Sequence, residues 1–129
     1  DSMYNTPPVF SIYMMGKVLK WMKAEGGIAE MESRAASKAG LLYQTIDQSG
    51  GYYNCPVDEA SRSHMNVVFR LPSEELEAKF LAGATDADLL NLKGHRSVGG
   101  CRASIYNALP LESVEALAGF MRSFQQANG

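Results

Sequence analysis

Apolar residues follow a helical interval in the first part of the chain and short β-like runs in the middle. From Val9 to Glu25, Phe10, Met14, Val18, Trp21 and Met22 recur every three or four residues, the period of one helix face. Pro7 and Pro8 lead into that helix, and Gly26-Gly27 ends it. Ile28, Met31, Ala35, Ala39, Leu42 and Ile46 continue the interval as far as Ser49-Gly50-Gly51, whose glycines suit the left-handed turn that closes a second helix. Tyr52 to Cys55 and Met65 to Leu71 are aromatic or β-branched runs bounded by Pro56 and Pro72, and they predict strands. Ser73 predicts the N-cap of a third helix through Leu76, Phe80 and Leu81, with Glu74 and Glu75 at its positive end and Gly83 as its stop. Leu89 to Lys93 and Arg102 to Tyr106 predict two further strands. In the second of these, Cys101, Ala103 and Ile105 share one face, and Arg102, Ser104 and Tyr106 share the other. Pro110 opens a last helix along Leu111, Val114, Leu117, Met121 and Phe124.

This order predicts an α/β fold, a small mixed or antiparallel sheet with helices packed on one face. The 129 residues suit a single globular unit, and 46% apolar with 20% charged residues is ordinary for one. No apolar run approaches the ~20 residues of a membrane helix, and no secretory signal opens the chain, so no membrane partner is expected. Asp1 stands where a complete chain has Met, and no period precedes the two prolines, which suggests a start inside a longer protein. Cys55 and Cys101 lie far apart without C-x-x-C spacing or clustered histidines. They read as reduced thiols in a cytoplasmic protein, with neither a metal site nor a disulfide framework.

Net charge is only −2, which argues against nucleic acid as a partner. Its distribution says more. No acidic residue lies between Asp88 and Glu112, while Lys93, His95, Arg96 and Arg102 all do. Gly94, Gly99 and Gly100 bracket His95 and Arg96, a composition that lets backbone N–H groups and cationic side chains surround an anion such as phosphate. Arg102, at the start of a proposed strand, can aim a planar guanidinium at a carboxylate through two parallel hydrogen bonds. A solvated loop whose arginines pair with surface carboxylates accounts for the same residues. Asn5 and Thr6 offer an amide and a hydroxyl just before a helix N-terminus, a place that attracts anions, although helix capping explains them as well. His64 has no partner at metal-ligand spacing, and Met14, Met15, Trp21 and Met22 read as core or interface. Ser11, Ser97 and Ser104 lack a nucleophile-elbow context, and no carboxylate is expected near the cationic island to act as a base. The residues describe an anion binder and give no catalytic residue.

Several runs together resemble one family. Asn5-Thr6-Pro7-Pro8, Gly26-Gly27-Ile28-Ala29-Glu30-Met31, Arg62-Ser63-His64-Met65-Asn66-Val67, and above all Lys93-Gly94-His95-Arg96 with Gly99-Gly100 and Arg102 through Ala108 are similar, in order, to the C-terminal part of the phosphoserine aminotransferases. The resemblance covers nearly the whole chain. It implies a fold-type I, pyridoxal 5'-phosphate-dependent homodimer that exchanges an amino group between glutamate and 3-phosphohydroxypyruvate, yielding phosphoserine for serine synthesis and, in bacteria, serving vitamin B6 synthesis. It implies that His95 and Arg96 bind the substrate phosphate and Arg102 the α-carboxylate. Asn5 and Thr6 would reach the cofactor phosphate of the other subunit. Residues 1–25 would be a lead-in from a large domain with its connecting helix, and residues 26–129 the small C-terminal domain. None of Lys17, Lys20, Lys23, Lys38, Lys79 or Lys93 lies in a run resembling the family's cofactor-lysine motif, so the chain is expected to be a fragment, inactive alone, whose partner is the large domain upstream. The alternative is a non-enzymatic module that binds a phosphorylated metabolite or protein.

Overall fold

The computed structural model describes residues 4–129, which fall into two compact units, the first ending at Ser33 and the second Arg34–Gly129. The first unit carries α1 (Val9–Ala24) and the start of α2 (Gly27–Asp47), with the break between them at Gly26 and Gly27, φ +107° and +79°. Both glycines occupy the left-handed region, which a side chain disfavours. The predicted helix forms, but its apolar residues do not become core. No residue of α1 is buried, and Phe10, Ile12, Tyr13, Met15 and Leu19 are all more than half exposed. Ile28, expected on the buried stripe of the second helix, is exposed as well.

The second unit is built on an antiparallel ladder. Strand β1 (Asn66–Phe69) pairs with β2 (Cys101–Ser104) in the register Asn66↔Ser104, Val67↔Ala103, Val68↔Arg102 and Phe69↔Cys101. Val67, Phe69, Cys101 and Ala103 are buried, whereas Val68, Arg102 and Ser104 are half exposed, so the expected two-faced alternation holds. Two predicted strands shrink to single bridges. Asn54 exchanges both backbone hydrogen bonds with Arg70, at 2.8 and 3.0 Å, and the pairing goes no further because Pro56 has no N–H to continue it. Lys93 bridges Cys101 on the opposite side of β2, and the extended run before it is interrupted by Asp88 and Asn91 at φ +59° and +62°.

Helices α2, α3 (Glu74–Asp86) and α4 (Leu111–Asn128) cover the buried face with Leu42, Ile46, Phe80, Val114, Leu117 and Met121. Phe80 lies at its centre, edge-on to Phe69 and Phe124 at centroid distances of 5.6 and 5.2 Å. Helix α3 starts where expected, the Ser73 hydroxyl accepting the Leu76 N–H at 3.2 Å. It does not stop at Gly83 but runs on to Asp86, with Gly83 inside the helix near the Phe120 ring. A 3-10 turn at Glu59–Ser61 adds an element that the apolar pattern did not signal. Among the described residues no helix is long and apolar enough to cross a membrane.

Candidate functional site

Lys93 to Arg102 forms a pinched loop. The Gly94 N–H donates to the Gly100 carbonyl at 2.8 Å, closing its neck, while the Val98 and Gly99 N–H groups donate to the His95 carbonyl at 2.9 and 2.8 Å. These three N–H groups are therefore spent inside the loop, contrary to the expectation that the glycines free them for an anion. Gly94 is needed for another reason. A Cβ there would lie 2.0 Å from the Gly99 carbonyl oxygen, so the two arms of the neck meet only because one of them has no side chain.

What the loop leaves open is its side chains. Lys93, His95 and Arg96 are exposed at the loop surface. The Ser97 N–H donates to His95 Nδ1 at 3.3 Å, and the Ser97 hydroxyl lies 2.7 Å from the same nitrogen. With Nδ1 accepting from Ser97, the Nε2–H tautomer of the exposed ring keeps a donor. His95 and Arg96 line a cavity of about 460 Å³ together with Lys93, Gly94, Gly99, Gly100 and, from the β1–α3 segment, Arg70, Glu74 and Glu77. Two carboxylates thus flank a loop that has none near it in sequence. Glu77 is almost buried; Leu71 N–H donates to its Oε1 at 3.4 Å, and Arg70 Nη1 stands 3.7 Å from the same oxygen.

Arg102 lies on the half-exposed face of β2 and lines a different cavity, about 570 Å³, with Asn91, Ser104 and Ser113 among others. Further along the ladder, Asn66, paired with Ser104, accepts hydrogen bonds from the Ser104 and Tyr106 hydroxyls at 3.2 and 3.4 Å. Arg102 Nε is buried without a protein partner. One chain therefore keeps the two cationic features in separate hollows. Asn5 and Thr6 belong to the first unit and are exposed; α1 starts from Pro8 without a side-chain cap, so the capping explanation for these two residues falls away. Among the described residues no group of His, Cys, Asp and Glu is arranged to hold a metal.

Three further side chains shape this region without a signal in the linear pattern. Lys38, buried in α2, donates to the Tyr106 and Leu109 carbonyls at 2.6 and 2.9 Å, and so holds the segment that follows β2. Burial, and secondarily the Arg34 charge, moves its pKa below the ordinary lysine value. Arg62 forms a two-pronged pair with Asp47 at 2.7 and 2.8 Å and stacks 4.6 Å over the Tyr43 ring, fixing the approach to β1. Cys101 starts β2 with its thiol in the core; burial pushes its pKa up to about 12, Glu77 adding to the rise and Arg70 opposing it.

The class-V aminotransferase family matches residues 1–117. The chain is 58% identical to the phosphoserine aminotransferase of Laribacter hongkongensis over 129 residues, all of this chain and 36% of that one. It is 56% identical to the Geobacillus kaustophilus phosphoserine aminotransferase over 126 residues, 98% of this chain and 35% of the relative. Among solved structures it superposes on the phosphoserine aminotransferase from Bacillus circulans subsp. alkalophilus with a TM-score of 0.94 at 54% identity, covering 99% of this chain and 36% of that one. Pyridoxal-phosphate-bound phosphoserine aminotransferase from Trichomonas vaginalis follows at 0.85 and 42%, covering 93% and 34%. The chain spans about a third of the length of the relatives it matches.

Proposed function

The chain belongs to the class-V aminotransferase family, and from that premise we propose that it is the substrate-orienting part of a phosphoserine aminotransferase. The complete polypeptide converts 3-phosphohydroxypyruvate and glutamate to phosphoserine and 2-oxoglutarate, for serine synthesis and also for vitamin B6 synthesis. It works as a cytoplasmic homodimer and supplies its cofactor lysine from a large domain outside these residues. Residues 1–25 are the lead-in to that domain and 26–129 the small domain, with the left-handed pair Gly26-Gly27 as the joint. The uncovered apolar residues of α1 support a large-domain or second-subunit neighbour for the lead-in.

The observation that carries the reading is the cationic loop. His95 Nε2 and the Arg96 guanidinium are exposed donors on one cavity, suited to the oxygens of a phosphate. Arg102 carries its planar guanidinium on the half-exposed face of β2, suited to the α-carboxylate shared by phosphoserine and glutamate. Asn5 and Thr6, relieved of capping, offer an amide and a hydroxyl that fit the phosphate of pyridoxal 5'-phosphate. That cofactor, when bound, supplies the electron sink that makes amino-group exchange possible. What these residues add is orientation: gripping both ends of a substrate removes its freedom to tumble and presents its α-carbon.

The test is steady-state kinetics of the complete polypeptide. Arg102→Ala is expected to raise KM for phosphoserine and glutamate alike, whereas Arg96→Ala penalises phosphoserine by roughly tenfold more than glutamate, the loss of one charge-assisted contact. Equal losses for both substrates in both variants would sink the division of roles.

A further inference from the structure

We propose that Arg70 is a positioning residue for the phosphate loop, propping its Val98–Gly100 arm and screening Glu77 from the anion cavity. The proposal rests on reading residues 95–100 as the phosphate site. Arg70 is fixed at its own backbone, where both hydrogen-bonding groups engage Asn54 at 2.8 and 3.0 Å just beyond the end of β1. Its side chain passes to the loop that precedes β2, and Nη2 donates to the Val98 carbonyl. The loop in turn is shaped around the guanidinium. A Cβ on Gly100 (φ +68°) would stand 2.8 Å from Arg70 Cδ, and one on Gly99 (φ +75°) would stand 3.2 Å from Nη1, so the closeness of arm and guanidinium depends on two glycines.

The same guanidinium faces Glu77. That carboxylate lines the cavity shared with His95 and Arg96, and a bare negative charge there would oppose an incoming phosphate. Arg70 Nη1 stands 3.7 Å from Glu77 Oε1, and its side chain is 37% exposed against 11% for Glu77, so the arginine is the more open partner of the pair. One planar fork thus serves a carbonyl on the loop and a carboxylate on α3, a span that a lysine's single ammonium does not reproduce. Arg70 contributes to phosphate affinity without needing to touch the phosphate.

The experiment uses the complete, cofactor-loaded polypeptide and reads KM and kcat separately for phosphoserine and glutamate. Arg70→Ala is expected to raise KM for phosphoserine roughly tenfold while KM for glutamate and kcat move less than roughly twofold. Arg70→Lys restores the charge and recovers part of the loss, and adding Glu77→Gln to Arg70→Ala recovers part as well. If Arg70→Ala fails to fold, Arg70→Gln, which keeps an amide donor, is measured in its place with an intermediate effect expected. A KM change of equal size for both substrates, or none for phosphoserine, overturns the positioning role, and absence of any recovery with Glu77→Gln overturns the screening role. Arg96→Ala runs in parallel. If it fails to separate the two substrates, the phosphate-loop reading itself is wrong; if it separates them and Arg70→Ala does not, only the role of Arg70 falls.

Discussion

Among the glycines, Gly94 is the one whose substitution meets the closest obstacle. Its missing Cβ lets two loop arms share a hydrogen bond, and the 2.0 Å approach to the Gly99 oxygen leaves no route for a methyl group except moving backbone. Gly94→Ala is expected to destabilise the chain by roughly 1–3 kcal/mol in urea denaturation; an unchanged midpoint would show that the arms part freely. The sequence announced this loop by its glycines and cations but misassigned the glycines, because a composition rule for anion loops does not reveal which carbonyls the N–H groups will find. Arg70 and Glu77 stayed hidden for a different reason: the register that sets Phe69 opposite Cys101 brings the end of β1 to the loop, and no spacing in the sequence encodes that. Asp47 makes a milder prediction. Arg62 holds its carboxyl below the ordinary 3.8, so the pair's contribution is complete above that value and disappears as pH falls through the lowered one. Since the Asp47 side chain is half exposed, the effect is worth less than about 1 kcal/mol, and Asp47→Asn should flatten the acid limb of a stability-against-pH curve by that amount.

At the scale of elements, the strongly periodic segments are where sequence and structure agree. All four helices and the two strands of the ladder were predicted, and Ser73 caps α3 as its hydroxyl suggested. The misses share a cause, which is that local signals were outvoted by tertiary contacts. Helix α3 runs through Gly83 because buried Phe80 and Ala84 on either side keep it packed, and the two flanking runs reach the sheet for only one residue each. Lys38 belongs here too. It sits on an otherwise apolar stripe between Ala35 and Leu42, and its acceptors lie 68 and 71 residues further on. Lys38→Met is expected to cost about 1–3 kcal/mol by leaving the Tyr106 and Leu109 carbonyls without their donor, and to speed amide hydrogen exchange across residues 105–110. Exchange unchanged in that segment would remove Lys38 as its anchor. Because the folded pKa is lowered, the unfolded chain holds the proton more tightly, and stability rises with pH between the lowered value and 10.5; the methionine variant should lack that rise.

For the whole molecule, the proposed reading gives these 129 residues the groups that grip anions and leaves the cofactor lysine to the large domain. Purified alone, the chain is expected to show no amino-group transfer from glutamate, measured as 2-oxoglutarate formation; turnover without a second polypeptide would overturn the division of labour. The relatives are about three times as long, and the exposed apolar side chains of α1 are the part of this chain least explained by its own core. Cys101 stands where that core meets the loop, and its burial makes it a clock. A thiol held protonated in the core reacts with an alkylating reagent only in the moments when β2 leaves β1, so its labelling rate reports how often the edge beneath the cationic loop opens. Half-buried Cys55 gives a reference thiol in the same tube, and a ligand that slows labelling at Cys101 alone would be detected without any turnover at all.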